Sequence, residues 1–175
     1  MKKTFILPIL FLAAASISFG QSTAVVTKTH AKDNYSIGYP ENWELDTSGR
    51  MGSSFFLFSE TSSTQDTFKE NINLIVQDIT GLDIDLDKYV EISSEQIKTM
   101  IPEGTILEST RKNKEGITYH SMIFTGKQQP YSLKFEQRYW IKNNTAYVLT
   151  LTCEKEQFDA YIEIGRKILD SFKIQ

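Results

Sequence analysis

Residues 105–153 read TILESTRKNKEGITYHSMIFTGKQQPYSLKFEQRYWIKNNTAYVLTLTC. Apolar and polar side chains alternate through most of this stretch, which is the period of a strand with two unlike faces. Three short interruptions divide it: Asn113 to Gly116, Gln129-Pro130 and Asn143-Asn144. Links this short leave room for a hairpin and for no crossover. The stretch therefore predicts four successive antiparallel strands, Thr105–Lys112, Ile117–Gln128, Tyr131–Lys142 and Thr145–Cys153. In the third, Tyr131, Leu133, Phe135, Tyr139 and Ile141 share one face. Lys134, Glu136, Arg138, Trp140 and Lys142 share the other. Trp and Arg are frequent binding anchors, so that second face is a candidate surface for a partner. The reading we favour is an outer sheet face lying under a helix, its long stems covering apolar area.

On both sides of these strands the period changes to that of a helix. Upstream, Leu86, Tyr89, Val90, Ser93, Ile97, Met100 and Ile101 fall on one helical face. Asp85 is placed to cap that helix, and Pro102 with Gly104 ends it. Downstream, Phe158, Tyr161, Ile162, Gly165, Ile168, Leu169 and Phe172 repeat at helical spacing. Further upstream, residues 21–32 read as a flexible start leading into an edge strand. Tyr35 to Tyr39 has the alternation of a half-buried strand, stopped by Pro40-Glu41-Asn42. Phe55-Phe56-Leu57-Phe58 is apolar on both faces and reads as a central strand covered on both sides. Ile72, Leu74 and Val76 alternate with Asn73, Ile75 and Gln77 in a further strand. No repeat or linker divides the chain. The fold class is α+β, an antiparallel sheet with helices packed on it. The pattern also admits a cystatin-like sheet wrapped on one helix.

Taken in order, these segments resemble the PsbP/Mog1 superfamily. Tyr35-Ser-Ile-Gly-Tyr-Pro-Glu-Asn-Trp43 is similar to its opening strand and turn. Asn71-Ile-Asn-Leu-Ile-Val-Gln-Asp78 is similar to a later strand, and Leu86-Asp-Lys-Tyr-Val90 to the start of its first helix. Tyr119 to Gly126, Gln137 to Leu151 and Phe158 to Phe172 follow its hairpins and last helix. The resemblance implies a three-layer α/β/α sandwich with a central antiparallel sheet, one domain over residues 21–175. It implies binding or assembly work of the bacterial PsbP-like or DcrB-like exported kind, with no shared active site. The matching residues are core and turn positions, so no catalytic, cofactor or metal residue carries over, and fold alone does not assign an activity.

The first twenty residues have the grammar of a cleavable signal peptide. Lys2 and Lys3 precede an apolar run from Phe5 to Ala15, and small residues stand at 18 and 20. The run is too short to span a bilayer. A cut after Gly20 would leave a periplasmic or secreted protein. The formal charge of the chain is −3, and loss of Lys2 and Lys3 makes it −5. That balance offers nucleic acid no electrostatic attraction. The chain has one cysteine, so it has no internal disulfide. We expect Cys153 to be a small buried hydrophobe.

Several clusters invite a chemical role. Asp83, Asp85 and Asp87 alternate like the opening of a calcium loop, but Lys88 and Ser94 occupy the positions that need Gly and Glu. Capping of the helix by Asp85 and Asp87 is the simpler account. His30 and His120 are the only histidines, and no G-x-S-x-G elbow supplies a serine nucleophile for either. Gly49-Arg-Met-Gly52-Ser-Ser54 lacks the Gly-Lys-Ser/Thr ending of a phosphate loop and reads as a hairpin turn. Asn34-Tyr-Ser36 and Asn143-Asn-Thr145 match glycosylation acceptors, which matter only in a eukaryotic host. The sequence thus favours a noncatalytic protein that binds or helps assemble another envelope protein. Such a surface should be an exposed apolar patch rimmed with polar groups. A small-molecule or lipid carrier would instead need a concave apolar pocket of a few hundred Å³ or more. An enzyme would need a cleft of convergent titratable groups.

Overall fold

The computed structural model describes residues 26–32 and 34–175. The leader, its cut after Gly20 and residues 21–25 lie outside the described residues. The elements in chain order are β1 (Val26–Lys32), β2 (Tyr35–Pro40), β3 (Glu44–Asp46), β4 (Phe55–Phe58) and β5 (Asn71–Asp78). Then come α1 (Leu86–Met100), β6 (Thr105–Lys114), β7 (Ile117–Gln128), β8 (Tyr131–Lys142) and β9 (Thr145–Glu154). The chain closes with α2 (Phe158–Ser171) and β10 (Lys173–Ile174). Seven strands form one sheet in the order β3-β4-β5-β9-β8-β7-β6, every neighbouring pair antiparallel. A second sheet has the order β1-β2-β10.

Local chemistry explains most boundaries. Asn143 and Asn144 both adopt positive φ, 51° and 56°. A two-residue hairpin between twisted strands demands that conformation, and Asn tolerates it. Asp85 Oδ1 accepts the Lys88 backbone N–H at 2.8 Å, so the expected N-cap of α1 is formed. Ile101 turns extended ahead of Pro102, whose ring disfavours helix in the residue before it. The four predicted strands and both helices stand where the periodicity placed them, give or take a residue or two.

Two expectations need correction. Phe55–Phe58 is not central. It lies second from the edge, flanked by β3 and β5, and β9 holds the middle of the sheet. Its two apolar faces arise because Phe55 and Leu57 point into the main core while Phe56 stacks on Phe58 on the other side. Nor is Tyr35–Pro40 half-buried. Every residue but Ser36 is buried, because β2 is the middle strand of the second sheet and packs on the first.

Alternation along the strands sorts the large sheet into two faces. On one, Leu74, Trp140, Leu149 and Leu151 pack with Ile168 and Leu169 of α2 and with Tyr35 and Ile37 of β2. Gly165 allows the helix its close approach. A Cβ there would stand 2.6 Å from the Leu151 Cδ2 atom. On the other face, Met122, Phe124, Tyr139 and Val148 pack with Val90 and Ile97 of α1. One helix on each side makes the three-layer sandwich. The layers are unequal. Seven strands at about 4.8 Å spacing span roughly 29 Å, while one helix is about 10 Å across. Helix α2 shares its face with a second sheet, whereas among the described residues α1 stands alone over β6, β7 and β8.

Candidate functional site

The strip of sheet that α1 does not cover forms the floor of an open groove of about 430 Å³. Register shows how the floor is built. Phe58 on β4 lies beside Asn71 on β5, Thr152 on β9, Phe135 on β8 and Phe124 on β7. The next rung toward the interior of β5 runs Phe56, Asn73, Thr150, Gln137 and Met122. Phe56 and Phe58 stack with their centroids 5.3 Å apart on one flank, and Phe124 and Phe135 stack at 4.5 Å on the other. Between these pairs runs a strip of amides and hydroxyls. A second hollow of about 290 Å³ continues the groove along α1, sharing Ile75, Ile101, Phe124 and Gln137 with the first.

The strip is partly self-satisfied. Gln137 Nε2 donates to Thr150 Oγ1 at 2.8 Å, and Tyr139 Oη donates to Gln137 Oε1. Asn73 Nδ2 donates to Ser53 Oγ and Asn71 Nδ2 to the Lys69 carbonyl, both at 3.1 Å. Those bonds fix the two Asn amides and leave each Oδ1 without a partner among the described residues. Thr150 and Thr152 are 7% and 9% exposed, which marks the strip as recessed rather than as an ordinary wet face. Arg50 is the one Lys, Arg, Asp, Glu or His among the groove's lining residues. It lies over the Phe58 ring at 5.5 Å and pairs with Asp46 at 3.5 Å. Burial raises the Tyr89 and Tyr139 hydroxyls above the ordinary tyrosine range, so both remain neutral donors.

The groups singled out by sequence lie elsewhere, and the structure does not gather them. Asp83 sits in a turn with φ 50°, Asp85 caps α1 and Asp87 pairs with Arg111 at 2.8 Å. Among the described residues no three His, Cys, Asp or Glu side chains group as metal ligands would. His30 packs against the rings of Tyr35 and Phe55. His120 Nε2 lies 2.8 Å from Ser109 Oγ, a nucleophile–base spacing that the sequence did not reveal. Its Nδ1 is buried with no hydrogen-bond partner, so a triad's orienting carboxylate is missing from this pair. Burial, then Arg111, lowers the His120 pKa, and the imidazole stays neutral. Gly49 and Gly52 both take positive φ in the β3–β4 hairpin, as a turn requires. Asn34 Nδ2 donates to Tyr147 Oη at 2.7 Å. Cys153 is fully buried, and burial followed by nearby Glu70 pushes its thiol up. The Lys134–Lys142 face lies beneath α2, as favoured, but Glu136 and Arg138 are sealed in an ion-pair network there.

One buried acid escaped notice because it stands in a polar run. Glu70 is 1% exposed, with a long contact of 3.5 Å from Ser59 Oγ. Burial raises its pKa and outweighs the backbone hydrogen bonds of Glu70 and Glu154 that lower it, while the charges of Asp66 and Glu154 add to the rise. The folded state therefore holds this proton more tightly than the unfolded chain. The stability it contributes is full below the ordinary glutamate range and is lost as pH rises through the folded value. Glu70→Gln is expected to raise the urea midpoint at pH 8 and to change it much less at pH 5. An equal shift at both values would contradict this.

No family model matches the chain, and no curated protein does. Solved structures do match. Cyanobacterial PsbP from Synechocystis sp. PCC 6803 superposes with a TM-score of 0.65 at 14% identity, covering 89% of this chain and 96% of its own. PA94 of Pseudomonas aeruginosa, a protein of unknown function, gives 0.62 at 10% identity, covering 85% and 96%. LpqN of Mycobacterium tuberculosis, involved in cell envelope biogenesis, gives 0.59 at 13% identity, covering 83% and 87%. The class is thus an α/β/α sandwich with one sheet face half open. More particularly, the fold is the PsbP-like fold that the opening strand, the two helices and the hairpins resemble.

Proposed function

We propose that this chain is an exported, noncatalytic binding protein of the cell envelope, and that the groove beside α1 is its binding site. The half-covered sheet face carries this reading. A sheet face facing only water has no need of recessed threonines between two stacked phenylalanine pairs. Export rests on the leader's grammar and agrees with the envelope role of LpqN. No helix among the described residues is long and apolar enough to cross a membrane. The groove's concavity suits a small-molecule carrier. A protein partner has its own support, since Met51 and Met100 are 79% and 74% exposed at the groove's margins.

Ile75 tests the site. It is shared by both hollows and is exposed enough for substitution without emptying the core. Native mass spectrometry of the protein, gently purified from its host's envelope, should show added mass that Ile75→Lys removes. Added mass retained by the variant would place the site elsewhere, and a bare chain in both spectra would retire the groove as a tight site.

A further inference from the structure

We propose that the groove binds a neutral sugar chain, an inference that rests on the groove being the binding site. Asn71 Oδ1 and Asn73 Oδ1 are acceptors in need of O–H or N–H donors, and each is held in place by its own amide's bond to the protein. The Thr152 hydroxyl adds a donor and an acceptor one strand away from Asn71. These groups lie across two adjacent strands at sheet spacing, about 4.8 Å, close to the separation of hydroxyls on opposite sides of a pyranose ring. The polar strip is walled by phenylalanine on both flanks, which suits the C–H face of a sugar ring.

Charge narrows the class further. Arg50 is already paired with Asp46 and laid over Phe58, so an anionic ligand would have to break an existing contact. A cationic ligand finds no carboxylate among the lining residues. A simple acyl chain would leave the two Asn oxygens and the Thr152 hydroxyl dry and unbonded, which is costly for buried polar groups. A neutral polyhydroxyl ring meets all of them. The second hollow continues beyond Ile75 toward Gln77, whose Oε1 accepts the Tyr89 hydroxyl at 2.9 Å, and Gln96. That continuity gives a chain of linked rings somewhere to go.

The test is a two-dimensional amide NMR titration of the purified protein with three neutral disaccharides: maltose, cellobiose and N,N′-diacetylchitobiose. Maltohexaose, cellohexaose and chitohexaose follow. Saturable shifts centred on Asn71, Asn73, Thr150 and Thr152 are expected with at least one sugar. Tighter binding of the matching hexamer would point to a polymer chain, and equal binding to a free small saccharide. Asn73→Ala should weaken the interaction about tenfold while the remaining spectrum stays in place. Thr152→Val, which keeps the side chain's shape, is the second variant should Asn73→Ala disturb the fold. The absence of saturable shifts with every sugar, or shifts indifferent to both variants, overturns the proposal. If that happens while Ile75→Lys still strips a bound molecule, the sugar is wrong and the groove stands. If both fail, the groove falls with it.

Discussion

Arg138→Met is expected to lower the unfolding free energy by about 3–5 kcal/mol. The Arg138 and Glu136 side chains are 5% and 1% exposed. Arg138 Nη2 donates to Glu136 Oε1 at 2.9 Å, its Nε donates to the same oxygen at 3.1 Å, and its Nη1 donates to Asp170 Oδ1 at 2.5 Å. Arg166 Nε of α2 donates to the other Glu136 oxygen at 2.7 Å. Removing Arg138 leaves a fully buried carboxylate held by Arg166 alone, and a buried charge that loses a partner costs far more than a lost surface pair. The companion experiment separates that penalty from the worth of the network. Glu136→Leu combined with Arg138→Met removes the buried pair together and should cost much less than Arg138→Met alone. Urea unfolding of both variants decides it. A single variant within about 1 kcal/mol of the parent would mean that water reaches Glu136.

Trp140→Ala is expected to cost about 3–5 kcal/mol, the range for emptying a large aromatic from a core. Trp140 is 7% exposed and stacks on Tyr119 at 5.3 Å. Its ring also meets Phe172, just past α2, at 5.2 Å. Phe172 in turn touches Tyr35 and Tyr147, so this one indole helps join α2 to both sheets. A gentler change at the same position tests Trp140 as a partner anchor. Trp140 lies on the α2 face, and the groove is on the other. Trp140→Phe, with less loss of packing, should therefore leave groove binding unchanged. Weakened binding by a well-folded Trp140→Phe would bring the α2 face back as a site.

Period and punctuation made the backbone legible. The hairpin links, the Asp85 cap and the Pro102 stop are local chemistry, and local chemistry is written in neighbouring residues. What stayed hidden depended on partners far along the chain. The face of Lys134, Glu136, Arg138, Trp140 and Lys142 reads as one lying under a helix, but nothing nearby shows that Arg166 and Asp170 will meet Glu136 and Arg138 there. The second sheet was invisible for the same reason, because β2 finds β10 only at the far end of the chain. The groove was half legible. Asn71 and Asn73 on β5, with Thr150 and Thr152 on β9, are polar at positions that a covered sheet would fill with apolar side chains. Each pair alone looks like an ordinary exposed alternation. Only the register of β5 against β9 sets them side by side.

That pairing has a consequence for how the protein is made. Strand β5 docks on β9, so Asn71–Asp78 waits for Thr145–Thr152 before the middle of the sheet can close. Strand β2 waits still longer for Lys173–Ile174. Contacts so distant in sequence slow folding, because loop entropy is lost before the contacts form. A chain emerging N-terminus first can pair β1 with β2 and β3 with β4 and β5 early, but it holds β5 without β9 until Thr145–Glu154 has been made. In this protein the order of the strands therefore postpones closing of the large sheet until Thr145–Glu154 has been made, and of the small one until Lys173–Ile174 has.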